Sequence, residues 1–587
     1  MTRSPPNRPT RGPDADHFPT DATSDLEREA FRERIESETD PASVRRSNIA
    51  AATAVAETLR TTLGPNGRHK MLVGRQGRVV VTNDGANVLK NLEIADPVAR
   101  AVVEVAEAQE AVVGDGTTTA VLLTGALLDA AASLLEDGLH PTTVVSGYGT
   151  AVRFARDRLD EYETGVDRGD DETLRAVART AVTNDWDDAS IDRFAYLAVS
   201  AARAVDFETA SIARKSYAGA PLEASELIDG LVVDLDASST TIERDRDGRT
   251  RAADRSATDA RIALVDHEIG VQEADAVTTP TVTDPDELER LRESEREERS
   301  RVVDRCRDRG VDVLVCQQSV DERIRETLER EGLVVAERTR RDEFDALAAA
   351  TGAQATYSIA DLDESTIGRA GTVERRTIGA SPVLVVANCP SDAHASLLLR
   401  GGTPQVADET RRIVDDCLAV TASVARDGGG AVVPGGGATP MALAQDLSRY
   451  ASRFDKREQL AVDAFATALE SIPRTLATNA GRDPIDVVAE LRAEHDAGRS
   501  AAGVDANGGI ADTADIGVLE PRAVLDRTLA AAFEATAAIL RIDGVLAESA
   551  RSATGQGPSE DGHDRGHEHA NSGARASIDG YPWAIGH

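Results

Sequence analysis

The sequence predicts a multidomain α+β protein, with a helical body built from both chain ends and an α/β unit inserted between them. Three observations predict it. At 587 residues the chain is longer than one core can serve. Its first and last thirds carry long stretches of apolar residues at helical spacing. From Leu231 to about residue 390 the pattern changes to short apolar runs separated by turns, with helical segments between them.

Taken in order, residues 1–41 are polar and rich in Pro, Arg and Asp. They hold too little apolar surface to order themselves, and no apolar stretch of a signal peptide. A helix runs from Val44 to Leu63 and stops at Gly64-Pro65-Asn66-Gly67, a strong turn signal. Met71–Val73 and Arg78–Val81 read as the strands of a hairpin. Asn83-Asp84-Gly85 is a tight turn before a helix at Ala86–Leu92. Ala99–Val113 and Thr117–Leu139 read as long buried helices, and residues 172–206 as helical. Strands at Ile262–Val265, Val311–Cys316, Leu333–Ala336 and Val383–Val386 mark the α/β unit. Inside it, Asp284–Arg309 is a charged helix with a weak apolar stripe, expected to project from the body. Helices resume near 405 and continue to 549. A Gly-, Ser- and His-containing tail from 550 should be flexible, its His563, His567 and His569 solvated.

The formal net charge is -36, which disfavours nucleic acid and anionic membranes as partners. Lys70, Lys90, Lys215 and Lys456 are the only lysines among 66 basic residues. Acid-rich, lysine-poor surfaces suit high salt, where screening mutes self-repulsion. Cys306, Cys316, Cys389 and Cys417 lack metal-ligand spacing and read as reduced thiols in a cytoplasmic protein. No apolar run approaches 18 residues without a charge, so no membrane-spanning helix is expected.

The stretch richest in chemistry is Gly114-Asp115-Gly116-Thr117-Thr118-Thr119, which leads directly into an apolar helix. A glycine-flanked turn at a helix N-terminus presents free N–H groups and the positive end of the helix dipole, a seat for phosphate. Asp115 would repel phosphate directly, so its role there is to hold a hard cation that bridges to phosphate oxygens. The chain has no G-x-x-x-x-G-K-[ST] loop.

Further turns follow in a fixed order. Thr62-Leu63-Gly64-Pro65-Asn66-Gly67, Asn83-Asp84-Gly85 and the Gly114 loop lie close together. Then come Arg400-Gly401-Gly402-Thr403, Pro434-Gly435-Gly436-Gly437, Asn479-Ala480-Gly481, Gly503-Val504-Asp505 and Leu540-Arg541-Ile542-Asp543. Together they resemble the group II chaperonins, the archaeal thermosome type, over about 42–549. The resemblance implies an ATP-dependent chaperone subunit of a double ring that encloses unfolded protein. A weakly hydrolysing structural subunit of a mixed ring is the alternative. It also implies an equatorial domain from 42–164 and 428–549, and an intermediate hinge domain from 165–230 and 391–427. An apical domain at 231–390 would carry a lid protrusion at about 272–305.

The resemblance assigns site residues as well. Asp115 matches the magnesium ligand, Asp84 a second acid near the γ-phosphate, and Asp416 the hinge-domain carboxylate that positions the attacking water. Asp415 is the register competitor of Asp416. Thr62, Leu63, Gly64 and Pro65 match a phosphate-touching turn, and Gly116, Thr117, Thr118 and Thr119 the main cradle. Gly436 matches a glycine beside the nucleoside. Asn479, Ala480, Gly481 and Asp505 match the base and ribose neighbourhood. The implied cofactors are ATP and Mg2+, with K+ as an optional second ion. The partners are non-native proteins and like or related subunits. One departure stands out: where the family has a lysine in a nucleotide-sensing loop, this chain reads Thr183-Asn184-Asp185-Trp186.

Overall fold

The computed structural model describes residues 41–544, except 75–78, 183–185, 236–241, 245–249, 253–255, 271–284, 392–393, 426–429 and 455. Both tails, most of the sensing loop and the first part of the protrusion therefore lie outside the described residues.

Helix α1 (Pro41–Arg60) buries Val44, Ile49, Ala52, Val55, Ala56 and Leu59, one stripe at helical spacing. The expected hairpin forms from β1 (Lys70–Val73) and β2 (Val79–Thr82), antiparallel with Met71 opposite Val81. Next come α2 (Gly85–Lys90), α3 (Pro97–Val113), α4 (Thr117–Glu136) and α5 (Pro141–Arg158). Asp96 caps α3, accepting from the amides of Val98 and Ala99 at 2.8 and 2.9 Å, with Pro97 in the first turn. Sequence reading missed α5, whose glycines and β-branched residues lower helix propensity. The structure shows why a glycine stands inside it. A Cβ on Gly147 would lie 2.4 Å from the Cβ of Ala461, so the close approach excludes any side chain. Helix α4 is long and apolar enough to cross a membrane by length and composition. Here its Val121, Leu123, Leu127 and Leu128 form the centre of a protein core, each worth about 2 kcal/mol.

The chain continues through β3 (Thr164–Val166), α6 (Asp171–Ala181), α7 (Asp188–Ala204), β4 (Ile212–Ala218) and β5 (Glu226–Ile228). The helical stretch expected at 172–206 is thus two helices. Next come β6 (Gly230–Asp234), β7 (Ile242–Arg244), β8 (Thr250–Ala252), β9 (Ser256–Val265), α8 (Pro285–Asp308), β10 (Val313–Cys316), α9 (Glu322–Arg330), β11 (Val334–Ala336) and α10 (Arg341–Thr351). Strands β12 (Gly368–Ile378) and β13 (Ser381–Ala387) close the α/β unit. Its six-stranded sheet runs β11-β10-β9-β12-β13-β6, parallel from β9 to β11 and antiparallel elsewhere. The parallel strands are continuous apolar runs, as strands covered on both faces must be. Strand β12 was missed because Arg369, Glu374, Arg375 and Arg376 interrupt its apolar alternation.

The remainder is β14 (Ala395–Gly401), α11 (Pro404–Val424), β15 (Gly430–Pro434), α12 (Ala438–Ala451), α13 (Glu458–Leu469), α14 (Ser471–Asn479), α15 (Pro484–Asp496), β16 (Ala502–Val504), β17 (Ile510–Asp512), β18 (Leu519–Pro521) and α16 (Arg522–Leu540). Strand β14 pairs between β4 and β5, and β15 between β18 and β3. The buried apolar residues separate accordingly. One core joins Ile49–Leu159 to Val433–Leu540. A second joins Val166–Leu222 to Ala395–Val432. Others fill the two faces of the six-stranded sheet. All four cysteines are free.

Candidate active site

The site begins where α3 turns into α4. Gly114 ends α3 with φ +68°, and its amide donates to the Glu110 carbonyl at 2.9 Å. Gly116 holds the N-cap of α4 at φ +77°, where a Cβ would meet Val524 at 2.6 Å. No side chain caps α4, which leaves the amides of Thr117, Thr118 and Thr119 to a ligand. Asp115 Oδ1 accepts from the Gly116 amide at 2.6 Å. The Thr117 hydroxyl donates to Glu110 at 3.1 Å. Behind the loop, buried Gln109 donates to the Asp115 carbonyl at 2.9 Å and to Thr528 Oγ1 at 3.2 Å.

Two further carboxylates arrive from distant sequence. Asp84 caps α2, accepting from the amides of Ala86 at 3.0 Å and Asn87 at 3.2 Å. The next residue presses on the cradle, since a Cβ on Gly85 would lie 2.3 Å from Thr118 Oγ1. Helix α11 supplies Asp416. One turn later, Ala419 Cβ lies 2.5 Å from the Cβ position of Gly114. One turn earlier, Arg412 Nη1 reaches Thr82 Oγ1 at 3.4 Å. Residues 412, 416 and 419 share one helix face, and that face covers the loop and the Asp84 turn. Asp415 faces elsewhere, 2.8 Å from Arg214 Nε and 3.7 Å from Arg411 Nε. Of the two aspartates, it is Asp416 whose helix face meets the loop, while Asp415 lies against Arg214 and Arg411.

The electrostatics follow from this crowding. Burial holds the Asp416 carboxyl well above the ordinary range, and Asp84, Asp115 and Glu110 push it further. Burial also raises Asp115 to about 6, against the opposing hydrogen bond from Gly116, while Glu110 and Asp84 add to the rise. Among the described residues no three acidic, thiol or imidazole groups converge tightly enough to hold a metal alone. A cation here must take its remaining ligands from phosphate oxygens and water, which is ordinary for magnesium. Mutually repelling carboxylates beside unpaired helix amides fit a magnesium–phosphate pair well.

The remaining expected residues cluster around two neighbouring turns. Asn479 Nδ2 donates to the carbonyls of Arg60 at 3.0 Å and Leu63 at 2.9 Å, clasping the Thr62–Pro65 turn. The Thr62 hydroxyl donates to the Leu59 carbonyl, so this turn can offer its backbone rather than that hydroxyl. Asn66 joins it to the next turn, donating to the Ala506 carbonyl at 2.7 Å. Ala480 and Gly481 terminate α14. Asp505 Oδ1 accepts from the amides of Asn507 and Gly509, both at 2.8 Å, and Val504 donates to the Gly436 carbonyl. Asn479 Nδ2 and Asp505 Oδ1 are thus spent on backbone, and each side chain keeps its other oxygen, Oδ1 and Oδ2, outside these bonds.

Glu520, passed over in the sequence, lies against the Pro434–Gly437 turn. Its Oε1 lies 3.0 Å from the Cβ position of Gly435, beside Gly436. Burial first and Asp115 second raise it to about 7. The available signal was a lone acid in the apolar run Val518-Leu519-Glu520-Pro521. Trp186, in the stretch that the resemblance matches to the sensing loop, packs edge-on against Phe194, with ring centroids 5.1 Å apart.

Comparison with known proteins identifies the lineage. Residues 55–550 match the model of the TCP-1/cpn60 chaperonin family. The chain belongs to this family. Thermosome subunit alpha of Halobacterium salinarum is 41% identical over 505 residues, covering 85% of this chain and 88% of that protein. A thermosome subunit of Methanopyrus kandleri is also 41% identical, covering 86% and 91%. Thermosome subunit 1 of Haloferax volcanii is 39% identical, covering 88% and 90%. The chain is a group II chaperonin subunit, an ATP-dependent molecular chaperone that works in a ring. The alternative of a merely structural subunit is not favoured.

Proposed function

We propose that this chaperonin hydrolyses ATP in the cleft between the Gly114 loop, the Asp84 turn and α11. The observation that carries the reading is the convergence of Asp84, Asp115 and Asp416 from three distant parts of the sequence. The amides of Gly116–Thr119 and the backbone of Thr62–Pro65 would hold the phosphates. Asp115 would hold Mg2+, which when bound neutralises phosphate charge and the repulsion among the carboxylates. Asp416, raised above the usual acid range, suits a group that orients water and accepts its proton. Asp84 supports it from the opposite wall. Glu520 takes the ribose hydroxyls and Gly436 lies beside the nucleoside. K+ is an optional second ion.

In the same reading, residues 42–164 and 428–549 are the equatorial domain and 165–230 with 391–427 the hinge. Residues 231–390 capture non-native protein, and the segment at about 272–305 acts as the lid. The rings assemble from like or related subunits in the cytoplasm, with neither nucleic acid nor membrane as a partner.

The test is ATP turnover by purified rings in high potassium chloride, wild type beside Asp416→Ala. The variant should bind ATP normally and turn it over about a hundredfold or more slowly. Equal turnover by both would remove Asp416 from the mechanism. Rings that form yet hydrolyse nothing in the wild type would favour the structural subunit.

A further inference from the structure

Strand β4 carries two adjacent cations, Arg214 and Lys215. Neighbouring residues on a strand point to opposite faces. On one face, Arg214 Nε lies 2.8 Å from Asp415 of α11, the residue beside Asp416. Its other nitrogens donate to the carbonyls of Ile212 at 3.2 Å and Thr209 at 3.1 Å, which orient the guanidinium beside Asp415. On the other face, Lys215 Nζ donates to Asp234 at 2.6 Å, at the end of β6 in the six-stranded sheet. It also pairs with Glu343 in the first turn of α10. Asp234 is held again by the Tyr217 hydroxyl at 2.5 Å, and its amide donates to Glu343 at 3.3 Å. The Lys215 and Glu343 side chains are only 12% and 9% exposed, so this pair is sheltered from salt in a way surface pairs are not.

We propose that Arg214 and Lys215 form a two-faced coupling pair. Arg214 positions the hydrolytic helix by holding Asp415 out of the cleft, which keeps Asp416 in it. Lys215 ties the same strand to the six-stranded body, so movement of α11 is delivered to that body through one segment of backbone. The geometry favours this over plain packing for two reasons. Both side chains are committed to ions on other elements, and the three partners, Asp415, Asp234 and Glu343, sit on α11, β6 and α10. Arg214 acts through Asp415 and is a positioning residue. Lys215 touches no part of the proposed nucleotide cleft. The proposal rests on the assignment of ATP hydrolysis to that cleft.

The test uses whole rings in high potassium chloride. Arg214→Met should lower kcat about tenfold with KM for ATP unchanged. In an Asp415→Asn background the same change should have no added effect, and Arg214→Lys should restore part of the rate. Lys215→Met should keep ATP turnover within about twofold of wild type. It should lose the nucleotide-dependent change in protease protection of residues 231–390, which Lys215→Arg should recover. The proposal is overturned if Arg214→Met raises KM instead, or adds fully to Asp415→Asn. It is also overturned if Lys215→Met shows wild-type protection changes, or if both the Met and Arg replacements lose them. A wild-type ring without ATP turnover would instead strike at the hydrolysis assignment.

Discussion

At the scale of single residues, the cleft stores unfavourable charge. Asp115 titrates at about 6 in the folded chain against 3.8 ordinarily. Between those values the folded state binds more protons than the unfolded one, so the empty subunit loses stability as pH rises from about 4 through about 6. Two pK units correspond to about 3 kcal/mol, and partial access to water reduces this to about 1–2 kcal/mol. Asp115→Asn removes the charge, and its amide oxygen can still accept from Gly116. Without magnesium or nucleotide, this variant should unfold at higher denaturant than wild type at pH 7.5, with the advantage gone at pH 4.5. Lower stability of the variant at pH 7.5 would show that the carboxylate's hydrogen bond outweighs its desolvation. Magnesium-dependent turnover should be lost in either case, because stability and function pull this residue in opposite directions.

At the scale of elements, the decisive unit is α3, its two-glycine turn and α4. That unit was legible in the sequence because every cue is local: a glycine at each end of the turn, an acid between them, and hydroxyls opening a helix. Asp84 was legible only through the resemblance, because Asn83-Asp84-Gly85 by itself reads as a common turn. Asp416 was harder, because choosing it over Asp415 depends on which face of α11 meets the loop. That face is marked by the Ala419–Gly114 and Arg412–Thr82 contacts and by the Arg214–Asp415 pair, all of them tertiary. Glu520 and Gln109 were not legible, since their partners lie across the fold. Strand β12 and helix α5 were lost to charges and glycines whose compensation is tertiary. Gln109 gives this scale its prediction. Its amide holds the Asp115 carbonyl and links the turn to α16 through Thr528. Gln109→Leu keeps the volume and removes the donor, at a cost of about 1–2 kcal/mol in stability. The magnesium concentration for half-maximal turnover should rise about tenfold. A lowered melting temperature with unchanged magnesium dependence would reduce Gln109 to a packing residue.

At the scale of the whole molecule, local and long-range electrostatics compete. The local contribution is a dense set of ion pairs made almost wholly by arginine, such as Arg156–Asp526, Arg261–Glu364 and Arg522–Glu163. Most are exposed and worth about 0–1 kcal/mol each, and salt weakens them. The opposing contribution is self-repulsion from a net charge of -36, which grows again when subunits of like charge meet in a ring. Raising ionic strength from about 0.1 to 1 M shortens the screening length from about 10 to 3 Å. Contacts near 3 Å survive that change better than repulsion acting across whole domains, so salt relieves more than it removes. The subunit's melting temperature should therefore rise steadily with potassium chloride up to about 2 M, and rings should dissociate on dilution to about 0.1 M. Thermal melts and light scattering across that series measure both. A melting temperature that falls with salt would place the net stabilisation in the arginine pairs instead. The Lys215–Glu343 pair, being largely sheltered from solvent, should hold the six-stranded body to β4 even in subunits released at low salt.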